Sequence, residues 1–173
     1  MAGSQGVRRG VVTTLVVVVA VVAVALGPGI PGSPVRVLRI ETRSMNPTLY
    51  AGDRVVVRSV GGTGDWQIGD VVVVRPADRL LVKRVVGLPG DAIAIRDGRL
   101  FRNGVRVVEP WSDPSRIDSV YFGPVEVPDG TVFVMGDNRR ESRDSRAFGP
   151  IDDDDVEARV VAVLWPPSRE GRL

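Results

Sequence analysis

The sequence contains no histidine and no cysteine, and Lys83 is the only lysine among its 23 basic residues. The first two absences exclude Ser-His-Asp triads, Cys-His pairs and zinc sites with histidine ligands. Arginine keeps its proton in proteins, so Lys83 is the one basic side chain able to accept a proton. Nucleophilic catalysis would therefore pair a serine with this lysine. The alternative is that an arginine-rich composition left one lysine by chance on a solvated strand edge.

The formal charge of +2 gives no reason to expect a nucleic-acid partner, because it does not come from the bulk of the chain. Residues 31–173 contain equal numbers of basic and acidic residues, and the excess is Arg8 and Arg9. These two arginines precede a long apolar stretch, a pattern typical of a membrane-directed segment. It predicts a cytoplasmic amino terminus at residues 1–10 and a single transmembrane helix at residues 11–30. The lipid bilayer is then a partner, and the location is the cell membrane.

A cleavable signal peptide is the alternative interpretation of this segment. The apolar stretch is only slightly longer than the usual apolar region of a signal peptide, and Ala23-Val24-Ala25 resembles a small-x-small cleavage site. Both interpretations place the residues beyond about 35 outside the cytoplasm. The absence of cysteine means that disulfides do not stabilise them there.

A mainly β domain is predicted over residues 35–165, after a linker rich in proline and glycine at residues 27–34. Short valine-rich runs separated by turn residues predict strands at residues 54–58, 70–75, 80–86, 92–95, 132–135 and 156–164. After the linker, no stretch shows a long period of 3.6 residues, which argues against long helices.

Two dipeptides, Asp97-Gly98 and Asn103-Gly104, predict hairpin turns. They lie in a reduced second lobe at about residues 92–131. The last residues, 166–173, are predicted to form a disordered tail. The acidic run at residues 152–155 lacks the alternation of ligands and glycine that a calcium loop needs, so we expect a solvated turn there. The sequence predicts no metal and no cofactor.

Ser44 is the first candidate catalytic residue. It lies where an extended stretch meets a turn at Pro47, and the residue before a proline is driven away from the α region. A serine in this position can present an exposed hydroxyl and a free backbone N–H. An ordinary turn serine is the alternative.

Lys83 is the second candidate, because it lies inside a predicted buried strand. Burial among valines and leucines disfavours an ammonium group and lowers the lysine pKa. A neutral amine is able to take the proton of a serine hydroxyl and return it to a leaving amine. A lysine that extends to solvent from a strand end is the alternative.

The third element is the polar loop at residues 136–149, which follows an apolar strand. Loops with so many charged residues commonly lie on the protein surface, exposed to solvent. Next to a buried lysine, Ser142 could hold the amine by a hydrogen bond, while Asp144 and Arg146 brace the loop.

The chain resembles the bacterial type I signal peptidases, membrane-anchored Ser/Lys enzymes that remove signal peptides from exported proteins. The resemblance covers about residues 35–165 and rests on motifs in the family's order. They are Ser-Met-Asn-Pro-Thr-Leu at 44–49, Gly52-Asp53 with the valines after it, Lys-Arg-Val-Val-Gly-Leu-Pro-Gly-Asp at 83–91, and Gly-Asp-Asn-Arg at 136–139 with Ser142, Asp144-Ser145-Arg146 and Phe148-Gly149. It implies a β-barrel-type catalytic domain, shared with self-cleaving repressors, behind one transmembrane helix.

The resemblance also implies roles for individual residues. Ser44 is the nucleophile and Lys83 the general base, with Ser142 orienting the lysine. The oxyanion hole uses the Ser44 N–H and the Thr42 hydroxyl, and removing such a donor elsewhere costs roughly 10²–10³ in kcat. Asp144 and Arg146 support the site.

Signal peptides of preproteins are the implied substrates, bound by strand addition with alternate side chains in pockets. By resemblance, the pocket walls are Leu38, Ile40, Met45, Leu81 and Val82. Large apolar walls leave room only for small residues, so we expect isoleucine or phenylalanine just before the scissile bond to be rejected.

The chain departs from the family pattern at three positions. Arg43 stands where a small residue is usual, and Arg140 and Glu141 stand where Asp and Asn are usual.

Two other functions are alternatives to the peptidase. Self-cleaving Ser/Lys repressors share the dyad but are cytoplasmic and carry a DNA-binding domain. An exported β domain that only binds a partner would make Ser44 and Lys83 incidental.

Overall fold

The computed structural model describes residues 35–60, 65–112 and 121–172. The predicted cytoplasmic segment, transmembrane helix and linker therefore lie outside the described residues. Within the part that is described, no helix is both long enough and apolar enough to cross a membrane.

The described chain is mainly β, as predicted. Its strands are β1 (Val35–Arg39), β2 (Arg54–Ser59), β3 (Val71–Val74), β4 (Leu81–Gly87), β5 (Ala92–Arg96), β6 (Arg99–Arg102), β7 (Val105–Arg106), β8 (Tyr121–Glu126), β9 (Thr131–Met135), β10 (Ile151–Asp152), β11 (Val156–Trp165) and β12 (Gly171–Arg172). One short helix, α1, spans Ser145–Phe148. Single 3₁₀ turns occur at Pro76–Asp78, Arg139–Glu141, Asp153–Asp155 and Pro167–Arg169.

These strands form two sheets whose pairings are all antiparallel. The larger sheet has the order β1-β2-β11-β3-β4-β9-β10, and β12 pairs with β11. The smaller sheet has the order β7-β6-β5-β8. Because β4 lies in the larger sheet and leads into β5, the predicted second lobe is an excursion between β4 and β9.

Valine on both faces of β3 explains why the sequence shows no polar alternation there. Val71 and Val73 pack into one apolar cluster, whereas Val72 and Val74 pack into another. A strand covered on both faces has no solvent side on which polar residues would be favoured. A third cluster joins the two sheets through Ile93 and its neighbours.

The predicted strands are present with small shifts at their ends, and both hairpin turns are confirmed. Asp97 and Asn103 have positive φ angles of 50° and 54°, each followed by a glycine with positive φ. Strand β8 was not predicted, because Gly123 and Pro124 interrupt its apolar pattern. It pairs with β5 across a register shift, so the second lobe is a four-stranded sheet.

The end of the chain differs from the predicted disordered tail. Residues Pro167–Arg169 form a 3₁₀ turn, and β12 pairs with β11. The Arg169 guanidinium binds the buried carboxylate of Asp53 and lies 4.3 Å from the centroid of the Tyr50 ring. A buried acid needs a partner, and the arginine of the tail provides it.

Candidate active site

Ser44 and Lys83 come together from two separate parts of the larger sheet. Ser44 lies in the turn between β1 and β2, and Lys83 lies on β4, paired with Val72 of β3. Lys83 Nζ is 2.8 Å from Ser44 Oγ and 3.0 Å from the Val82 carbonyl oxygen. Both residues are buried, with exposed fractions of 4% for Ser44 and 2% for Lys83. The two groups therefore lie within hydrogen-bond distance of each other.

The environment of Lys83 favours its neutral form. Burial lowers the pKa of Lys83 from 10.5 to about 8, opposed by the negative charges of Asp144 and Asp137, with a smaller lowering from Arg146. A pKa of about 8 leaves roughly a tenth of the amine neutral at pH 7. A fraction of the amine is thus able to accept a proton near neutral pH, and the buried side chain does not extend to solvent.

The backbone N–H of Ser44 and the hydroxyl of Thr42 lie at the same site. Thr42 Oγ1 is 3.2 Å from Ser44 Oγ, within hydrogen-bond distance. Among the described residues, the Ser44 N–H has no acceptor. A free N–H beside a buried nucleophilic hydroxyl is able to donate to an oxygen of a bound substrate.

Asp144 and Arg146 brace the loop after β9, as the sequence suggested. Asp144 is fully buried and caps the start of α1, where it accepts from the Arg146 N–H. Its carboxylate also accepts from the Gly136 N–H at 3.0 Å and from the Arg146 guanidinium at 2.8 Å. Arg146 continues to the carbonyl oxygens of Arg139 and Ser142. These bonds hold the loop in a fixed position beside Lys83.

The expected hydrogen bond between Ser142 and the Lys83 amine is not formed. The Ser142 hydroxyl is buried and has no hydrogen-bond partner among the described residues. Lys83 makes its hydrogen bonds to Ser44 and to the Val82 carbonyl instead. Ser142 packs against Gly136, where an added Cβ would lie 2.2 Å from the Ser142 hydroxyl oxygen.

A cavity of about 220 Å³ lies beside Thr42. Its lining contains all five predicted pocket residues: Leu38, Ile40, Met45, Leu81 and Val82. Strands β1 and β4 both contribute to the lining, β1 through Leu38 and β4 through Leu81. The remaining lining is Arg39, Glu41 and Leu80.

Comparison with known proteins assigns the family. The model of the family described as signal peptidase, peptidase S26, matches residues 10–165. The chain belongs to this signal peptidase family. The signal peptidase I of Bacillus licheniformis is 39% identical over 139 residues, which cover 73% of this chain and 75% of that protein. A probable signal peptidase I-2 of Synechocystis is 33% identical over 163 residues, covering 88% of this chain and 73% of that protein.

Among solved structures, a signal peptidase I from Enterococcus faecalis is 29% identical. The match covers 56% of this chain and 97% of that chain, with a TM-score of 0.48.

Sequence reasoning missed a buried ion pair next to Ser44 and Lys83 of this signal peptidase family member. Arg84 donates to both carboxylate oxygens of Asp137, at 2.8 Å and 2.7 Å. Thr48 donates to the same carboxylate at 2.5 Å, and the Arg84 guanidinium lies 4.5 Å from the centroid of the Trp111 ring. The signal was an arginine inside a buried strand, which requires a carboxylate, but the sequence does not say which of 21 acids it is.

Gly136 and Asn138 were also missed as individual residues, although their motif was recognised. Gly136 lies against Ser142 and against the Ser44 carbonyl, which an added Cβ would approach to 2.5 Å. Asn138 is fully buried and hydrogen-bonded to the Ser44 turn.

In the described residues, no group of three or more acidic side chains is arranged to hold a metal ion. In the acidic run at residues 152–155, Asp152 ends β10 and Asp153–Asp155 form a 3₁₀ turn, as expected.

Proposed function

We propose that this chain is a serine endopeptidase that removes signal peptides from exported preproteins, with Ser44 as nucleophile and Lys83 as general base. The observation that carries the proposal is the 2.8 Å contact between Lys83 Nζ and Ser44 Oγ, in which both residues are buried. Family membership supplies the substrate class, and the geometry supports the roles.

In the proposed reaction, the neutral Lys83 amine takes the Ser44 hydroxyl proton as Ser44 Oγ attacks the carbonyl carbon before the scissile bond. The carbonyl oxygen becomes an oxyanion, which accepts from the Ser44 N–H and the Thr42 hydroxyl. The Lys83 ammonium then protonates the leaving amine, and an acyl ester on Ser44 remains. Water, deprotonated by the same amine, hydrolyses this ester and restores the serine.

The cavity between β1 and β4 is the proposed substrate pocket. An extended substrate segment would pair with exposed backbone of these strands, and its alternate side chains would enter the cavity. Leu38, Ile40 and Leu81 give the cavity apolar walls, which suit an apolar side chain. The resemblance to signal peptidases, rather than the cavity volume, supports small-x-small specificity.

The β-barrel-type architecture of the catalytic domain is part of the same proposal and rests on the family resemblance. The anchor at residues 11–30 and the extracytoplasmic position of the domain also belong to it. The apolar amino-terminal stretch after Arg8 and Arg9 supports them. A membrane-held enzyme would meet signal peptides where these enter the bilayer.

The test uses the full chain in detergent with a preprotein whose cleavage is followed by gel. We expect Ser44→Ala and Lys83→Arg each to abolish cleavage, because alanine has no nucleophile and arginine keeps a charge but accepts no proton. Ser59→Ala, which removes an exposed serine hydroxyl, is the matched control and should cleave normally. Retained cleavage by Lys83→Arg would reject the dyad. A folded wild-type protein that binds preprotein without cutting it would favour the binding module.

A further inference from the structure

Asn138 is a fully buried residue that contacts the backbone on both sides of the Ser44 side chain. Its side-chain Nδ2 donates to the Arg43 carbonyl at 3.2 Å. Its backbone N–H donates to the Ser44 carbonyl at 3.0 Å. One residue of the loop after β9 therefore holds both carbonyls that flank the candidate nucleophile.

The Arg43 carbonyl and the Ser44 N–H belong to the same peptide unit. In a planar trans peptide the C=O and N–H bonds point in opposite directions, so fixing the carbonyl also fixes the direction of the N–H. Among the described residues, this N–H has no acceptor. The side chain of Asn138 thus sets the direction of a donor that is free to bind substrate.

We propose that Asn138 is a positioning residue that aims the Ser44 N–H at the developing oxyanion. The inference rests on the proposed function, in which this N–H is an oxyanion-hole donor. Asn138 does not touch the reacting atoms and acts through the peptide unit between Arg43 and Ser44. A donor aimed before the reaction begins stabilises the oxyanion without reorganisation at that moment.

Two further observations separate this role from general packing and from control of Lys83. The Oδ1 atom of Asn138 is buried without a hydrogen-bond partner among the described residues. The side-chain amide is therefore not part of a fully satisfied polar network that would explain its burial by stability alone. Asn138 is also not among the groups that shift the pKa of Lys83, which are Asp144, Asp137 and Arg146 beside burial. Its removal should therefore leave the titration of the base unchanged.

The expected loss of activity depends on a second hydrogen bond to the same Arg43 carbonyl. The Arg43 carbonyl also accepts from the Asn46 N–H at 3.1 Å. Removing the Asn138 amide loosens the peptide unit without releasing it. The loss should therefore be smaller than the roughly 10²–10³ in kcat expected for removing an oxyanion donor altogether.

The experiment compares Asn138→Ala with the wild-type full chain on a peptide substrate. We expect kcat to fall about ten- to thirtyfold, below the loss for a removed donor, with KM and the pH midpoint unchanged. A peptide aldehyde that forms a hemiacetal with Ser44 should lose affinity by the same factor as kcat/KM, because its oxygen occupies the oxyanion position. Gln67→Ala, which removes an exposed amide, is the control and should behave as wild type.

Asn138→Leu keeps a side chain branched at Cγ, although a larger one, without the N–H donor. This variant provides the test if the alanine variant fails to fold. A kcat within twofold of wild type for the folded variant would overturn the inference. So would a loss of activity that appears in KM, or one accompanied by a shifted pH midpoint. If Ser44→Ala retains cleavage, the proposed function itself fails. If Ser44 and Lys83 are required but Asn138 is dispensable, only this inference fails.

Discussion

At the scale of single residues, the chemistry of this site depends on the solvation of one amine. Lys83 is 2% exposed, and burial is the largest cause of its lowered pKa. The carboxylates of Asp144 and Asp137 oppose this effect, but each is itself neutralised by an arginine at hydrogen-bond distance. Pairing each acid with its own arginine leaves less net negative charge to stabilise a lysine ammonium. The arginines therefore help to keep the Lys83 amine in the neutral form that the proposed reaction needs.

The pH dependence of cleavage follows from this pKa. A general base acts in its neutral form, and the neutral fraction of Lys83 rises with pH until it passes the pKa of about 8. We expect kcat/KM to rise about tenfold per pH unit below the midpoint and to level off above it. Peptide cleavage rates from about pH 5.5 to about pH 9.5, a range that brackets this midpoint, measure the rise. Circular dichroism at each pH shows that the fold persists. A flat profile would contradict the assignment of Lys83 as a buried base. So would a rate that still rises steeply at the upper end of this range, as a lysine with the ordinary pKa of 10.5 would give.

At the scale of elements, the polar loop after β9 supports the turn that carries Ser44. Gly136 begins this loop, where its N–H donates to Asp144. An added Cβ at Gly136 would lie 2.5 Å from the Ser142 Cβ and equally close to the Ser44 carbonyl oxygen. The carbonyl is backbone and is held by the Asn138 N–H, so it has little freedom to move away.

Gly136→Ala should therefore displace the nucleophile. A misplacement on the order of 1 Å at a reacting group can cost about 10²-fold in rate, and we expect a loss of about that size. Overpacking should also lower the free energy of unfolding by about 1–3 kcal/mol. Steady-state cleavage and urea unfolding measure the two effects. Gly171→Ala is the matched control, because nothing lies within 4 Å of an added Cβ there. Wild-type turnover by Gly136→Ala would show that the loop adapts.

The same elements show how far the sequence could predict the structure. Valine-rich runs predicted β2, β3 and β4, because a strand with at least one buried face can be recognised from its apolar side chains. Strand β8 was missed because its Gly and Pro residues have a low strand propensity. Its pairing with β5 depends on contacts with that partner strand and not on the propensity of its own residues. Within the site, the composition singled out Lys83 as the only lysine, and motif resemblance assigned Ser44 as its partner. The absence of a bond between Ser142 and Lys83 was not predictable, because it depends on distances between separate chain segments.

At the scale of the whole molecule, an ion pair connects the segment after the smaller sheet's β7 to the candidate active site. Arg139 donates from Nε to the Gly136 carbonyl at 2.9 Å, and its two terminal nitrogens bind the carboxylate of Glu109. Both side chains are largely buried, with exposed fractions of 6% for Arg139 and 10% for Glu109. The sequence did not reveal this pair, because 30 residues separate its members.

Glu109→Gln tests whether this connection supports the active-site loop. The neutral amide would leave the Arg139 charge buried and unpaired, and removing one partner of a buried pair costs about 3–5 kcal/mol when burial is complete. We expect a lower free energy of unfolding and a several-fold lower kcat/KM, because the Gly136 carbonyl loses a fixed donor. Glu126→Gln, an exposed acid on the smaller sheet's β8, is the control and should change neither quantity.

A double-mutant cycle decides whether the two effects come from the pair itself. In Arg139→Gln the carboxylate is left without its partner, and in the double variant both charges are gone. If the ion pair couples the two regions, the double variant should lose less stability than the sum of the single variants, by about 0.5–3 kcal/mol. Urea unfolding of the four proteins gives this coupling energy, and cleavage assays give the corresponding term in kcat/KM. Additive losses in both measurements would mean that the second lobe does not act on the active site through this contact.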